Sequence, residues 1–452
     1  MESTGCIAVP PAGIRVIDLL EQAGYEAWCV GGFVRDAFRG AAVHDLDIAT
    51  SAPWHESARV LRDGGCGVHE TGTAFGTITA VEDGNPIEVT TFRSDGTYRD
   101  ARHPDSVTFV ETIEDDLARR DFSVNAMAYH PTRGLRDPFG GKHDLESKVI
   151  RAVGVPEERF SEDALRILRG LRFASQLGFR IEDATLRAMR VHASSLRAIS
   201  AERVFTEIDR MLMGEHVLQA LLACPDVIGA VLPEITAMHG CPQNTPYHIY
   251  DVYEHTAHVV ADSPATHVSR WAAFFHDVGK PVCRHTDASG RDHFKGHASQ
   301  GAEIARDALM RLKAPVHLRD DVFTLVRLHE WFVPASEQAA LRMLNKLDGR
   351  VELYRALLAL QIADSGAKAP GVTERLEAAQ RMRATLEQVL AQDLPFTVKQ
   401  LAVNGSDLLA AGWTPGPHLG STLNELLEAV MDGRVQNHRE ALLEYASLHC
   451  AI

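Results

Sequence analysis

The chain has 452 residues, with 46 Lys and Arg against 61 Asp and Glu, a formal net charge of −15 and 45% hydrophobic residues. That length fits about two to four domains of roughly 100–200 residues each, and the ordinary balance of charged and apolar residues excludes wholesale disorder. An acidic balance argues, on average, against a nucleic-acid partner, because neutralising phosphates needs clustered Lys and Arg. The start, MESTGCIAVPPAG, lacks a basic region followed by an apolar one, so no secretory signal is expected. The longest apolar run, Leu218 to Leu232, is broken by Pro225 and Asp226, and no membrane span is expected. Seven scattered cysteines without a CxxC pair read as reduced thiols, and the expected compartment is the cytoplasm.

Ile14 to Ala23 carries helical periodicity, and Tyr25 to Val30 reads as a short strand running into Gly31-Gly32. Phe33 to Arg39 suggests one or two helical turns, and Asp45 to Thr50 a second strand. Phe75 to Val81 and Ile87 to Phe92 are rich in Thr, Ile and Val and flank Glu82-Asp83-Gly84-Asn85-Pro86, a hairpin signal. From about Glu146 strand signals nearly vanish. Glu157 to Gln176, Asp183 to His192 and Glu202 to Met213 are periodic helices, and Pro242 to Pro246 marks a boundary. Another helical region runs from about Val372 to the end, interrupted at Gly412 to Pro417. The predicted class is α+β: a small mixed-sheet head over 1–145, an all-α neck over 146–240, a body over 241–370 and a tail over 371–452.

The sharpest local feature is Gly31-Gly32-Phe33-Val34-Arg35-Asp36 followed by Asp45-Leu46-Asp47. On a strand, residues i and i+2 share a face, so Asp45 and Asp47 aim two carboxylates at one spot. Such carboxylates repel unless a cation sits between them, and hard oxygen ligands suit Mg²⁺, which also binds phosphate oxygens. A paired-metal site lowers the pKa of an attacking hydroxyl and neutralises a leaving pyrophosphate. Glu88, on Ile87 to Thr91, is a plausible third carboxylate. Gly31 and Gly32 let the backbone approach a triphosphate closely, with Arg35 supplying a charged fork.

These residues resemble the first motif of the class II nucleotidyltransferases, the group that holds bacterial CCA-adding enzymes and poly(A) polymerases. Four further stretches continue the resemblance in order. Arg119-Arg120-Asp121-Phe122-Ser123-Val124-Asn125-Ala126-Met127-Ala128 is similar to the RRDFTINAMA motif, with Ser and Val for Thr and Ile. Asp137 to Gly141 resembles the following turn, Glu162-Asp163-Ala164-Leu165-Arg166 the EDxxR motif, and Glu202 to Glu207 the last motif. The resemblance implies that Asp163 and Arg166 act as a protein template for the incoming base. An Arg with fixed donors and an Asp with acceptors can together mimic a base edge. Their i, i+3 spacing places them together on one helix, with Ile167, Leu168 and Leu171 facing the core. Arg169 and Arg172 continue the polar side toward triphosphate or RNA backbone. Arg119, Arg120, Asp121 and Asn125 are implied to line the nucleotide pocket and read the ribose 2′-hydroxyl. Arg93 to Pro104 resembles the family's mobile loop.

Eleven of the 22 histidines fall between His239 and His329, about a fifth of the chain. His255, the adjacent His276-Asp277, and Asp364 resemble the H…HD…D pattern of the HD phosphohydrolase superfamily. His297 and His329 stand where two-metal members have extra ligands, or they bind substrate phosphate. Imidazole and carboxylate ligands suit Mn²⁺, Ni²⁺, Fe²⁺ or Zn²⁺ about equally. The resemblance suggests phosphodiesterase or phosphatase action on a 2′,3′-cyclic or 2′-phosphate end. The segment from Leu401 to Val430 resembles the C-terminal part of bacterial CCA-adding enzymes, which implies contact with the tRNA elbow.

Together these features imply template-independent addition of CCA, from CTP and ATP, to tRNA 3′ ends, with Mg²⁺ at the head. Poly(A) synthesis, partial CC or A addition, and an HD phosphohydrolase with an RNA-binding head stay open. From Arg151 to Arg210 there are eleven arginines against nine acidic residues, so tRNA is expected along the neck and the head's cleft.

Overall fold

The computed structural model describes residues 7–43, 45–95 and 107–450. The chain divides into two compact units, one up to Thr236 and one from Ala237. Helix α1 (Pro11–Gln22) begins with proline at its first position and buries Val16, Ile17 and Leu20. Strand β1 (Ala27–Val30), helix α2 (Gly32–Phe38), strand β2 (Leu46–Thr50) and helix α3 (Trp54–Asp63) follow. Strands β3 (Gly67–Gly72), β4 (Thr77–Glu82) and β5 (Asn85–Thr91) come next, then β6 (Arg93–Asp95), β7 (Val107–Phe109) and helix α4 (Ile113–Ala118). Strands β8 (Ala128–His130) and β9 (Gly134–Arg136) and helix α5 (Gly141–Glu146) complete the α+β part.

A seven-stranded sheet runs β3-β4-β5-β2-β1-β8-β9. It is mixed: β2 and β5 are parallel, while β1–β2 and β4–β5 are antiparallel. The β4–β5 turn is the predicted hairpin. Asp83 (φ 51°) and Gly84 (φ 78°) are both left-handed, the two-residue geometry that matches the twist of paired strands. Strand starts shift by one or two residues from expectation: β1 begins at Ala27 instead of Tyr25 and β5 at Asn85 instead of Ile87. Thr73 to Phe75 forms a short 3-10 turn, so β4 begins at Thr77, and Asp45 lies just before β2 rather than within it.

Helices α6 (Pro156–Glu162), α7 (Leu165–Leu177), α8 (Asp183–His192) and α9 (Ala201–Leu212) follow, then the short α10 (Val217–Ala223), α11 (Pro225–Val231) and α12 (Pro233–Met238). The single helix expected from Glu157 to Gln176 is two. Asp163 is extended (φ −140°, ψ 102°), and its Oδ1 accepts the Leu165 N–H at 2.9 Å, so it starts α7 instead of lying inside a helix. Apolar periodicity runs through the break without interruption, which is why the sequence conceals it. Helix α7 buries Ile167, Leu168 and Leu171 as expected, and Arg166 and Arg172 are also largely buried. Leu171 is fully enclosed, so Leu171→Ala should cost about 2–5 kcal/mol in urea denaturation. A loss below about 1 kcal/mol would place that side chain outside the core.

The second unit is built from α13 (Val252–Asp262), α14 (His267–Phe275), α15 (Lys280–Cys283), α16 (His297–Arg311) and α17 (Val316–Leu328). It continues with α18 (Glu337–Lys346), α19 (Val351–Gly366), α20 (Glu374–Ala391), α21 (Gly405–Ala410), α22 (Pro417–Met431) and α23 (Arg439–His449). Helix α14 is enclosed along its length, with Trp271, Phe274 and Phe275 all buried, and it delivers His276 at its C-terminal end. Helix α19 carries buried residues around much of its circumference, as a central helix does, and this buries Asp364. Among the described residues no helix is long and apolar enough to cross a membrane.

Candidate active site

The parallel β2–β5 ladder sets Asp47 directly opposite Glu88. Burial, reinforced by Glu88, pushes the Asp47 carboxyl up to about 6, with Arg120 opposing the rise. Asp45 is exposed just ahead of β2 and lines the same cavity. A cation shared by these oxygens would remove their mutual repulsion. Gly31, between β1 and α2, is left-handed at φ 69°. That backbone, with ψ −132°, is one that side chains other than glycine's rarely adopt, and a Cβ there would also press to 2.9 Å from Arg120 Nη1.

A cavity of about 720 Å³ opens onto these carboxylates. Every head and neck residue singled out from the sequence lines it: Gly31, Gly32, Arg35, Asp45, Asp47, Glu88, Arg119, Arg120, Asp121, Asn125, Asp163, Arg166, Arg169 and Arg172. Eight arginines face five carboxylates around its wall, so one cationic cavity sits inside an acidic chain. The net charge of −15 averages this away, and the expectation it raised against a phosphate-bearing ligand does not hold locally.

The polar groups are linked. Arg169 meets Asp121 Oδ2 at 2.6 Å, and Asn125 donates to Asp121 Oδ1 at 3.1 Å. Asn125 Oδ1 accepts from Arg35 at 2.7 Å, and Arg35 pairs with Asp36 at 2.6 Å. Burial works against charging Asp121, but the Arg169 guanidinium and these hydrogen bonds hold its carboxyl at about 2. Arg166 donates to Glu162 (2.6 Å), to the Arg159 carbonyl (3.2 Å) and to the Arg119 carbonyl (2.9 Å). Asp163 keeps Oδ2 toward Arg203 at 3.5 Å. Asp163 and Arg166 therefore come together across a helix junction, not along one helical face. Arg172 pairs with Glu207 at 2.7 Å and lies 4.2 Å from the centre of the Phe173 ring.

The cavity also takes residues to which the sequence assigned no site role: Thr77, Thr90, Phe173 and Arg203. Thr90 shares a strand face with Glu88 by simple alternation, and Thr77 is its cross-strand partner, with their hydroxyls 3.0 Å apart. Arg203 belongs to the Glu202 to Glu207 motif, which carried no assigned role. Of the expected mobile loop, Arg93 lines the cavity and donates to the Phe75 carbonyl, while residues 96–104 lie outside the described residues.

The second unit holds a cluster of different chemistry. His255 Nε2 lies 3.0 Å from Asp364 Oδ1 and 3.7 Å from Asp277 Oδ2, and His276 Nε2 lies 3.2 Å from Asp277 Oδ2. On the other carboxylate oxygen, Asp277 Oδ1, His297 Nε2 approaches to 3.2 Å and His329 Nε2 to 3.8 Å. Two groups of three, His255-His276-Asp277 and Asp277-His297-His329, have ligand atoms within 4.8 Å of one another. The Nδ1 atoms of His276, His297 and His329 each bond a backbone carbonyl at 2.7–2.8 Å. A carbonyl only accepts, so each Nδ1 carries its proton and each Nε2 faces inward, where a neutral ring offers its lone pair to a metal. His276 Nε2 is buried and makes no hydrogen bond. Burial opposes charging Asp277, yet His276 and Lys280 hold its carboxyl well below the usual range.

Asp277, His297, His329 and Asp364 face a cavity of about 490 Å³ whose wall includes Lys280, Lys295, Lys368 and Arg375. His248 lines it too, with Nδ1 2.7 Å from the Thr245 hydroxyl, and burial pushes its imidazole down to about 3. It was not among the residues expected from the sequence.

Comparison with known proteins gives one consistent set of relatives. Residues 27–151 match the family model of the poly A polymerase head domain. Residues 178–238 match the probable RNA and SrmB-binding site of polymerase A, and residues 299–446 a putative tRNA nucleotidyltransferase domain 2. The chain is 35% identical over 429 residues to the CCA-adding enzyme of Levilactobacillus brevis, covering 95% of each. It is 33% identical to that of Streptococcus thermophilus, over 96% of this chain and 95% of the relative. Among solved structures it resembles the Bacillus stearothermophilus CCA-adding enzyme in complex with CTP (TM-score 0.74, 28% identity, 97% of this chain and 98% of that one). In fold it also matches the Thermotoga maritima CCA-adding enzyme complexed with tRNA (TM-score 0.61, 21% identity, 98% and 97% covered).

Proposed function

The chain belongs to the CCA-adding enzyme family, and on that premise we propose that it adds CCA to the 3′ end of tRNA from CTP and ATP. The observation that carries this reading is the gathering of Asp45, Asp47 and Glu88 with the nucleotide-binding set of Gly31 to Arg172 around one cavity. Asp45, Asp47 and Glu88 would hold Mg²⁺, whose chemistry there is to activate the attacking 3′-hydroxyl and neutralise the departing pyrophosphate. Arg35, Arg119, Arg120, Arg169 and Arg172 bind and orient the triphosphate, fixing its α-phosphate for in-line attack. Asp121 and Asn125 receive the ribose hydroxyls. Asp163 and Arg166 present an acceptor and a donor to the base edge.

We assign residues 1–145 to the catalytic head, 146–240 to the neck that selects the nucleotide, 241–370 to the body and 371–452 to a tRNA-contacting tail. Nucleotides offered singly test the reading. With CTP alone, tRNA lacking its end should gain two C residues and stop. With ATP alone, tRNA ending in CC should gain one A, and a generic oligonucleotide none. Long A tails on any RNA would make the protein a poly(A) polymerase, and C addition without A a partial enzyme.

A second reading is carried by the His255, His276, Asp277 and Asp364 cluster with His297 and His329: a phosphohydrolase acting on 2′,3′-cyclic or 2′-phosphate ends, with Mn²⁺, Ni²⁺, Fe²⁺ or Zn²⁺. Three imidazoles with Nε2 turned inward and a shared carboxylate support it. His276→Ala should cut transition-metal content, measured by mass spectrometry after loading, and abolish hydrolysis of a 2′,3′-cyclic nucleotide while sparing CCA addition. Unchanged metal content would contradict this reading, and loss of CCA addition as well would make the cluster structural.

A further inference from the structure

Resting on the nucleotide-addition reading, we propose that Asp116 is a positioning residue that aims Arg119 and Arg120 at the incoming triphosphate and keeps Arg120 off the metal-binding face of Asp47. Asp116 lies on α4, outside the cavity wall, with a fully buried side chain. Its Oδ1 accepts from Arg119 Nε at 3.0 Å, with Arg119 Nη2 at 2.9 Å, and from the Arg93 backbone N–H at 3.3 Å. Its Oδ2 accepts from Arg120 Nη2 at 3.3 Å.

A carboxylate taken wholly out of water is tolerable only when its charge is met. Here two guanidiniums meet it, and both also line the cavity, with about a sixth of their side chains exposed (17% and 18%). The arginines thus sit at the boundary between a buried anion and a site for an anionic ligand, held from behind and open in front. The consequences reach both ends of the site. The Arg119 carbonyl accepts from Arg166, and Arg120 Nη1 stands over Gly31 beside Asp47. Burial disfavours the charged form of Asp116, but Arg119 and Arg120 keep it lowered, so it is a carboxylate throughout the working range.

Without that charge Arg120 loses its rear anchor, and its Nη1 already stands over Gly31 on the side where Asp47 Oδ2 lies. A guanidinium seated on Asp47 would compete with Mg²⁺ for the same oxygens. The effect of removing Asp116 should therefore require Arg120. CTP binding to the full chain is measured by calorimetry across a Mg²⁺ series, without tRNA, for Asp116→Asn, Arg120→Ala and the double variant, together with thermal melting.

The expected result is a CTP Kd raised about tenfold in Asp116→Asn, and a rise of similar size in the Mg²⁺ concentration giving half-maximal binding. Tm should stay within a few degrees. In the Arg120→Ala background the Mg²⁺ effect of Asp116→Asn should disappear, because the competing cation is gone; independent effects would simply add. A Mg²⁺ requirement within twofold of the parent, or a shift that persists without Arg120, would overturn the proposal. Should Asp116→Asn fail to fold, Asp116→Ser is read in the same assay. Failure of both to fold would leave Asp116 a residue of the fold alone and also overturn it. The parent chain's own CCA addition reports separately on the underlying reading.

Discussion

Asp45→Ala or Asp47→Ala should lower nucleotide incorporation at least about 10³-fold, within the range that metal and electrostatic stabilisation contributes to such reactions. tRNA affinity should stay within about twofold, since binding RNA depends on cationic surface that neither carboxylate supplies. Near-normal incorporation by either variant would remove the catalytic assignment. Asp47 carries a second consequence. Its carboxyl is raised to about 6 by burial and by Glu88, so in the metal-free protein the folded state holds the proton more tightly than the unfolded chain does. That contribution favours the fold below about pH 4 and is lost as pH rises through about 6. Asp47→Asn should therefore be inactive yet more stable than the parent at pH 8 without metal, by about 1–3 kcal/mol, with the difference fading toward pH 4. Denaturant titrations at the two pH values check the sign; equal stability at both would mean that Glu88 and burial do not strain this site.

Asp163→Ala and Arg166→Ala should each lower incorporation of both CTP and ATP by about 10²-fold or more and relax discrimination against GTP and UTP. A site built to hydrogen-bond its substrate rejects wrong partners strongly because its polar groups are left unpaired. The geometry here is restrictive. Asp163 Oδ1 is taken by the Leu165 N–H, and Oδ2, held at 3.5 Å from Arg203 Nη2, is the carboxylate oxygen nearest in role to an acceptor for the base. Arg166 is fixed from behind by Glu162 and by the carbonyls of Arg159 and Arg119. Neither group can turn to accommodate a different base without breaking one of these bonds. The check is single-turnover incorporation with each of the four nucleotides. Variants that lose rate but keep the parent's selectivity would show that this pair only supports the fold.

Much of this was legible in the sequence where chemistry and spacing coincide locally. The Glu82 to Pro86 hairpin, the Gly31-Gly32 approach and the helix Asp183–His192 follow from residue type and period alone. The break at Asp163 was not legible, because the apolar period continues from Phe160 through Leu165 and Leu168 while the backbone leaves the helix. Asp116 was hidden for another reason. Within Glu114-Asp115-Asp116 it looks like part of a solvated acidic run, and only tertiary packing singles it out as buried. The cationic cavity was invisible to composition because its arginines come from separate stretches around Arg35, Arg93, Arg119, Arg166 and Arg203. The histidine cluster was legible as an excess of one residue type. Its shared carboxylate, Asp277, with imidazoles on both oxygens, needed the helix packing to appear.

3′-end sequencing tests directly whether the Asp47 carboxylate site carries out CCA addition. tRNA lacking its last three nucleotides is incubated with CTP, ATP and Mg²⁺ and either the parent chain or Asp47→Ala. Ends that read CCA and go no further are expected with the parent, and unchanged ends with the variant. Homopolymeric tails, no addition by the parent, or CCA made by the variant would contradict that assignment.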